Sequence, residues 1–398
     1  MASCCPSEGV QPYGVVGAGA IGSGIARLLS GLGAPTTVVA PRPGGVERAS
    51  ERIRRWYASD VRHGRLTGPE AETGLRNVCV TSSFKDLEAA TFVIESVPED
   101  IAVKQDVLAA VEAHTAPDCV FASNTSAIPL TDMAARADRP HQVIGTHFFW
   151  PAHRYRLVEI ARANLTSELT LQRALNLVRW LGKVPLVVHD RPGFFTTRVL
   201  VVYLSEAIAL VRDGASVEAV DRAMEAFGWA MGPFRLLDAV GLQIFRGIHQ
   251  RVSPSLGDRV AAFEHLWPVL EAGHVGCGNG RRDGAKGFYR YPEGLEVDAR
   301  VYPLIGRNGG SGPASSEIAV RPIWQLLNEV GHCLTDGTVA STDEADVGLR
   351  LGLGWPAAQG SLLTYARRVG VPSIVQQLEA WAQRHGPRFA PSPAWCAW

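Results

Sequence analysis

A chain of 398 residues, 46% of them hydrophobic, is long enough to bury sizeable cores in two or three domains. Its 39 basic and 39 acidic residues cancel, which argues against nucleic acid or an anionic membrane surface as the principal partner. The opening MASCCPSEGVQPY has no basic region followed by an apolar one. No apolar run approaches the roughly 18 residues of a membrane helix, so a cytoplasmic protein is expected.

The first predicted elements lie in YGVVGAGAIGSGIARLLSGLG, a short apolar strand, three glycines in GxGxxG spacing, and a helix with Ile21, Ile25, Leu28, Leu29 and Leu32 at helical period. Gly17 permits the tight turn, Gly19 lets a pyrophosphate approach the backbone, and Gly22 lets helix and strand pack closely. With Ala20 and Ile21 at the helix start, where free amides and the dipole attract phosphate, these residues form a candidate dinucleotide-binding set.

The next strand, PTTVVA, should end in an acid that takes the adenosine ribose hydroxyls, but Ala40 stands there. Arg42, in the following APRPGG, either faces a 2'-phosphate or is a solvated loop residue, so the cofactor is NAD or NADP. Further strand-like runs follow at NVCVTS, TFVIESV, CVFASN, VIGTHFF, YRLVEI and KVPLVV, separated by helix-patterned segments. This alternation predicts a mainly parallel, doubly wound sheet with helices on both faces. Polar residues expected just after such strands, at the carboxyl edge where cofactor and substrate meet, are Glu99 and Lys104, Asn124 and Ser126, His147, and Glu159. Cys79 and Cys119, in strand-like runs, are expected to be buried thiols; the seven cysteines show no metal-ligand spacing.

After HDRPGFF, near residue 190, long helical patterns replace the strands and an internal similarity appears. The stretch from Arg198 resembles that from Arg321: Glu206 matches Glu329, Asp213-Gly214 matches Asp336-Gly337, and Trp229 matches Trp355. Two related helical domains joined through a glycine-rich region at about 271 to 316 are expected. The fold class is therefore α/β plus all-α, with domains at 1–189, 190–300 and 301–398.

VVGAGAIGSGIA, ESVPEDIAVKQ, SNTSAI, GTHFFWPAHRYRLVEI, RPGFF, MGPFRLLDAVG and GAKGFYRY occur in the order that resembles the L-3-hydroxyacyl-CoA dehydrogenases. The likeness is closest to the dehydrogenase half of multifunctional fatty-acid oxidation enzymes. The resemblance implies a Rossmann-type domain, an NAD(P) cofactor, and His147 as general acid/base oriented by Glu159. It implies that Ser126 bonds the reacting oxygen, that Asn124 holds the loop, and that Glu99 and Lys104 contact the nicotinamide ribose. Histidine suits the proton transfer, since it titrates near neutrality and a carboxylate on its second nitrogen fixes the tautomer. His153 and Arg154 are then loop or entrance residues.

Two positions depart from the family pattern. GFFTTR puts Thr197 where the family carries a substrate-side asparagine, and Trp150 follows HFF where a small or amide residue is usual. Trp150 either narrows the acyl pocket or packs away from it. These departures, with Ala40, point to a specialised, biosynthetic 3-hydroxyacyl thioester carried on CoA or an acyl carrier protein, in a monomer or homodimer. The alternative is a catalytically silent, cofactor-binding subunit of the same fold.

Overall fold

The computed structural model describes residues 11–278, 286–291, 296–310 and 312–398. Part of the glycine-rich region expected to join the helical copies, residues 279–285, 292–295 and 311, lies outside the described residues. The chain divides into two compact units, Met1–Asp190 and Arg191–Trp398.

The first unit carries strands β1 (Tyr13–Val16), β2 (Thr36–Val39), β3 (Val78–Thr81), β4 (Phe92–Glu95), β5 (Val120–Ser123), β6 (Val143–Phe148), β7 (Leu157–Arg162) and β8 (Val184–His189). They form one sheet in the order β3-β2-β1-β4-β5-β6-β7-β8. Every neighbouring pair is parallel except β6 and β7. The strands alternate with helices α1 (Ala20–Gly31), α2 (Gly45–Arg62), α3 (Gly68–Arg76), α4 (Ile101–Glu112), α5 (Leu130–Ala134) and α6 (Glu168–Trp180).

Strand residues of one parity, Val15, Val38, Ile94, Ala122, Ile144 and Val158, share a core with Ile25 and Leu29 of α1, Ile53 of α2 and Ala174 of α6. Their neighbours Val16, Val39, Val93, Phe121 and Val143 are equally buried on the opposite face. Both faces are covered, as the near-continuous apolar strands require. Asp100 caps α4 by accepting the amides of Ala102 and Val103, which stops the preceding loop immediately after Glu99. Cys119 is buried, but Cys79 is exposed, contrary to expectation. It lies on β3 at the sheet edge, where one strand flank has no neighbour.

The second unit is helical: α7 (Thr196–Arg212), α8 (Val217–Phe227), α9 (Pro233–Val240), α10 (Leu242–Leu256), α11 (Trp267–Glu271), α12 (Val301–Ile305), α13 (Ser315–Thr335), α14 (Thr342–Gly348), α15 (Leu362–Val369) and α16 (Val371–His385). Within it α7 packs on α13. Arg198 of α7 donates to Glu329 at 2.5 Å and Asp336 at 2.6 Å. Its counterpart on α13, Arg321, donates to Glu206 and to Asp213 at 2.8 Å. A second arginine joins each glutamate, Arg259 on Glu329 at 2.7 Å and Arg388 on Glu206 at 3.0 Å. Each buried glutamate is thus held by two arginines, one from the other stretch and one from beyond it. A π-helical turn at Leu349–Leu353 precedes Trp355, absorbing part of the extra length that separates the second tryptophan from its glutamate. No helix among the described residues is long and apolar enough to cross a membrane.

Candidate functional site

In the first unit, β1, β2, β4, β5 and β6 run parallel, so the segments that leave them gather at one edge of the sheet. The glycine-rich turn lies there. Gly17 adopts φ +96°, and its amide donates to the Val39 carbonyl at 3.0 Å, joining the ends of β1 and β2. A Cβ on Gly22 would come within 1.9 Å of the Gly17 carbonyl oxygen, so helix and strand approach too closely for any side chain. Gly19 is the opposite case: a Cβ there would meet nothing within 4 Å. The open side of Gly19, beside partly exposed Ala20 and Ile21 at the start of α1, is a cradle that a side chain would fill and a pyrophosphate can enter. These residues fit a dinucleotide. Ala40 is 7% exposed, and Arg42 lies in the exposed turn beyond it.

Where β4 and β5 end, a buried charge network forms. Lys104 on α4 reaches Glu95, the last residue of β4, at 2.8 and 3.0 Å, and Glu99 at 3.3 Å. Glu95 also accepts the Ser123 hydroxyl at 2.6 Å and the Val97 amide at 2.6 Å. Glu99 accepts the Thr125 hydroxyl at 2.6 Å and the amides of Ser126 and Ala127 at 3.0 and 3.2 Å. Burial pushes the Glu99 carboxyl up, but Lys104 and these hydrogen bonds outweigh it and hold the group below its ordinary range. Lys104 therefore anchors the loop through Glu99, and its ammonium is buried between carboxylates. Sequence reasoning missed Glu95. Its sole sequence signal was an acid at the end of an apolar strand, four residues before the one singled out.

The loop after β5 is tied to the end of β6, because Asn124 accepts the Phe148 amide at 2.8 Å. That bond fixes the backbone next to His147, whose ring Nδ1 lies 2.7 Å from a Glu159 carboxylate oxygen. The antiparallel register pairs His147 directly with Glu159, which puts both side chains on one face. Glu159 does not follow its strand, as expected from the sequence; it is the third residue of β7, and the reversal of β7 brings its beginning to this edge. Glu159 is fully buried and His147 is 9% exposed. Phe149 packs against the imidazole with ring centres 4.7 Å apart, and Tyr155 stacks on Phe149 at 5.8 Å.

The loop between β6 and β7 carries exposed Trp150 and Tyr155, at 42% and 39%. Lys183, a second residue missed from sequence, clamps it by donating to the carbonyls of Ala152 and Tyr155 at 2.6 and 2.5 Å. Burial alone pushes this ammonium down to about 8. His153 packs edge-on against Trp56 at 4.7 Å, and Arg154 is exposed. The first unit thus brings together Glu99, Lys104, Asn124, Ser126, His147 and Glu159 with the glycine turn at one sheet edge. Thr197 belongs to the second unit, as the buried second residue of α7.

A family model described as the NAD binding domain of 3-hydroxyacyl-CoA dehydrogenase matches residues 13–191, and one described as the C-terminal domain matches residues 193–291. A fatty acid oxidation complex subunit alpha from Shewanella amazonensis is 33% identical over 386 residues, covering 95% of this chain and 54% of that protein. The chain therefore spans about half the length of that curated relative. Among solved structures, a 3-hydroxybutyryl-CoA dehydrogenase from Escherichia coli shares the fold over 98% of both chains with a TM-score of 0.83 at 23% identity. An (S)-3-hydroxybutyryl-CoA dehydrogenase from Ralstonia eutropha is 28% identical, with a TM-score of 0.67, covering 71% of this chain and all of its own. The two models cover the sheet with its His147–Glu159 pair and the first helical stretch in succession, and by them the chain belongs to the 3-hydroxyacyl-CoA dehydrogenase family.

Proposed function

We propose that the chain is an NAD(P)-dependent oxidoreductase interconverting 3-hydroxyacyl and 3-ketoacyl thioesters. The observation that carries this reading is the His147–Glu159 pair, 2.7 Å apart, at the sheet edge that also presents the glycine turn. The dinucleotide, when bound, takes or gives the hydride at its nicotinamide ring. His147, with Nδ1 held by Glu159, takes the C3 hydroxyl proton on Nε2 in the oxidation direction and returns it to the C3 oxygen in reduction. Glu159 keeps the proton-accepting tautomer and stabilises the imidazolium that forms. Ser126 bonds the C3 oxygen. Asn124, through the Phe148 amide, sets where the imidazole stands. Glu99, anchored by Lys104, holds the 125–127 segment, and the pair would contact the nicotinamide ribose of a bound dinucleotide.

The substrate in this reading is a specialised, biosynthetic thioester on CoA or an acyl carrier protein. Exposed Trp150 and Tyr155 on the His147 loop support it, as does Thr197 in place of an amide side chain. A panel of 3-ketoacyl thioesters on both carriers, followed by loss of nicotinamide absorbance, tests it. Turnover fastest on a bulky or carrier-bound acyl group is expected. Best turnover on acetoacetyl-CoA would argue against specialisation, and nucleotide binding without turnover on any thioester would favour a silent subunit.

A further inference from the structure

The turn that follows β2 carries no carboxylate to reject a phosphate and holds an arginine instead. A carboxylate at the end of the second strand accepts the adenosine ribose hydroxyls and repels a 2'-phosphate; an arginine nearby reverses the selection. Here the position is Ala40, whose amide donates to the Thr81 carbonyl at 2.8 Å and whose methyl can do neither job. The bond from Gly17 to the Val39 carbonyl puts this strand end directly beside the glycine turn. Pro41 and Arg42 follow, both exposed, and the turn closes through the Gly45 amide onto the Arg42 carbonyl at 2.7 Å. Gly45 fits tightly, since a Cβ there would lie 2.6 Å from the Ala40 carbonyl oxygen.

Two more arginines flank the turn on one face of α2. Arg48 folds back to donate to the Pro43 carbonyl at 2.7 Å. Arg52, one helical turn on, donates to the Ala18 carbonyl of the glycine turn at 2.5 Å. Among the described residues, none of Arg42, Arg48 and Arg52 has an ion-pair partner. Of the nearby acids on α2, Glu51, between Arg48 and Arg52, is already paired with Arg55 at 3.0 Å, and Glu47 lies exposed in the first turn. Carbonyl oxygens hold the Arg48 and Arg52 guanidiniums in place without neutralising them, and exposed Arg42 adds a third charge, so the turn from Ala40 to Gly45 is cationic and lacks a carboxylate.

We propose that the site selects a 2'-phosphorylated dinucleotide, with Arg42 pairing the 2'-phosphate and Arg48 adding charge from α2. This rests on the dinucleotide-binding reading above and goes beyond it by naming the cofactor's phosphorylation state and the residue that reads it. Arg42 is the specificity-determining side chain, and Ala40 makes room for it to act.

The test is equilibrium binding, which needs no acyl substrate. Dissociation constants are measured by titration calorimetry for 2',5'-ADP and 5'-ADP, and by nicotinamide fluorescence for NADPH and NADH. The wild type should bind each 2'-phosphorylated compound about tenfold or more tightly than its partner. Arg42→Ala should collapse that ratio toward one, mainly by weakening the phosphorylated ligands, and Ala40→Asp should invert it. Equal or tighter binding of NADH and 5'-ADP by the wild type would overturn the proposal while leaving dinucleotide binding intact. An Arg42→Ala ratio unchanged from wild type would overturn the role of Arg42. Failure of all four compounds to bind would overturn the dinucleotide reading itself, and this inference with it.

Discussion

His147 and Glu159 face each other across β6 and β7 because the chain reverses between them, and the register, more than the twelve-residue spacing, makes their 2.7 Å contact. A parallel β7 would have needed a crossover and would have brought the other end of the strand to this edge. Glu159→Gln keeps the size of the side chain and removes its charge. Turnover should fall about 100-fold with cofactor affinity unchanged, because the tautomer is no longer fixed and the imidazolium loses its counter-charge. Steady-state rates beside a cofactor titration check this, and an equal loss of cofactor affinity would assign Glu159 to the fold.

The glycines of the phosphate turn should separate cleanly by mutation. Gly22→Ala forces a methyl to within 1.9 Å of the Gly17 carbonyl, so the variant should unfold at markedly lower temperature or fail to accumulate. Gly19→Ala meets nothing within 4 Å and should keep its melting temperature within a degree or two, yet lose about tenfold in dinucleotide affinity. A Gly19→Ala protein that binds the dinucleotide normally would remove Gly19 from the cradle.

In the helical unit, Glu206 and Glu329 are each 2% exposed or less and lie between two arginines. Removing one charge from such a cluster leaves buried guanidiniums under-compensated, at a cost of about 3–5 kcal/mol. Glu206→Gln should lower the unfolding free energy by about that amount, and Glu329→Gln similarly, since the two sites exchange equivalent partners. Chemical denaturation measures both, and a large difference between them would contradict the structural equivalence of the two stretches.

The same unit buries two carboxyls that burial pushes upward, Asp221 to about 6 and Asp238 to about 7. Asp238 accepts the amides of Phe288 and Tyr289 at 2.9 and 3.0 Å. The folded state keeps these protons to higher pH than the unfolded chain, so their stabilising contribution is complete below about 4 and is lost as pH rises through about 6 to 7. Asp238→Asn should lower stability overall while flattening the fall in melting temperature between about pH 5 and 8. Parallel profiles for the two proteins would show that Asp238 does not titrate in this window.

The legible parts were those written in local pattern. Glycine spacing, short apolar runs alternating with helical patterns, and the run from Arg198 repeated at Arg321 are each written in local sequence, so the sheet, the phosphate turn and the internal repeat were readable. What escaped depends on partners distant in sequence. Glu95 looked like the end of an apolar strand until Lys104 and Ser123 met it, and Lys183 like a strand-flanking cation until it bonded two carbonyls of the 150–155 loop. Arg259 and Arg388 were missed because each reaches its glutamate, Glu329 and Glu206 respectively, from a segment far away in sequence. Cys79 was misread because a strand pattern says nothing about whether its strand lies at the sheet edge.

The measurement that tests the account most directly is the rate of nicotinamide absorbance loss with 3-ketoacyl thioesters for wild type and His147→Gln, with dinucleotide dissociation constants taken on the same preparations. The account predicts turnover by the wild type, a loss of about 100- to 10,000-fold in the variant, and dissociation constants equal within about twofold. A variant that turns over near the wild-type rate would contradict His147 as the proton carrier and remove the site on which the proposed reaction stands.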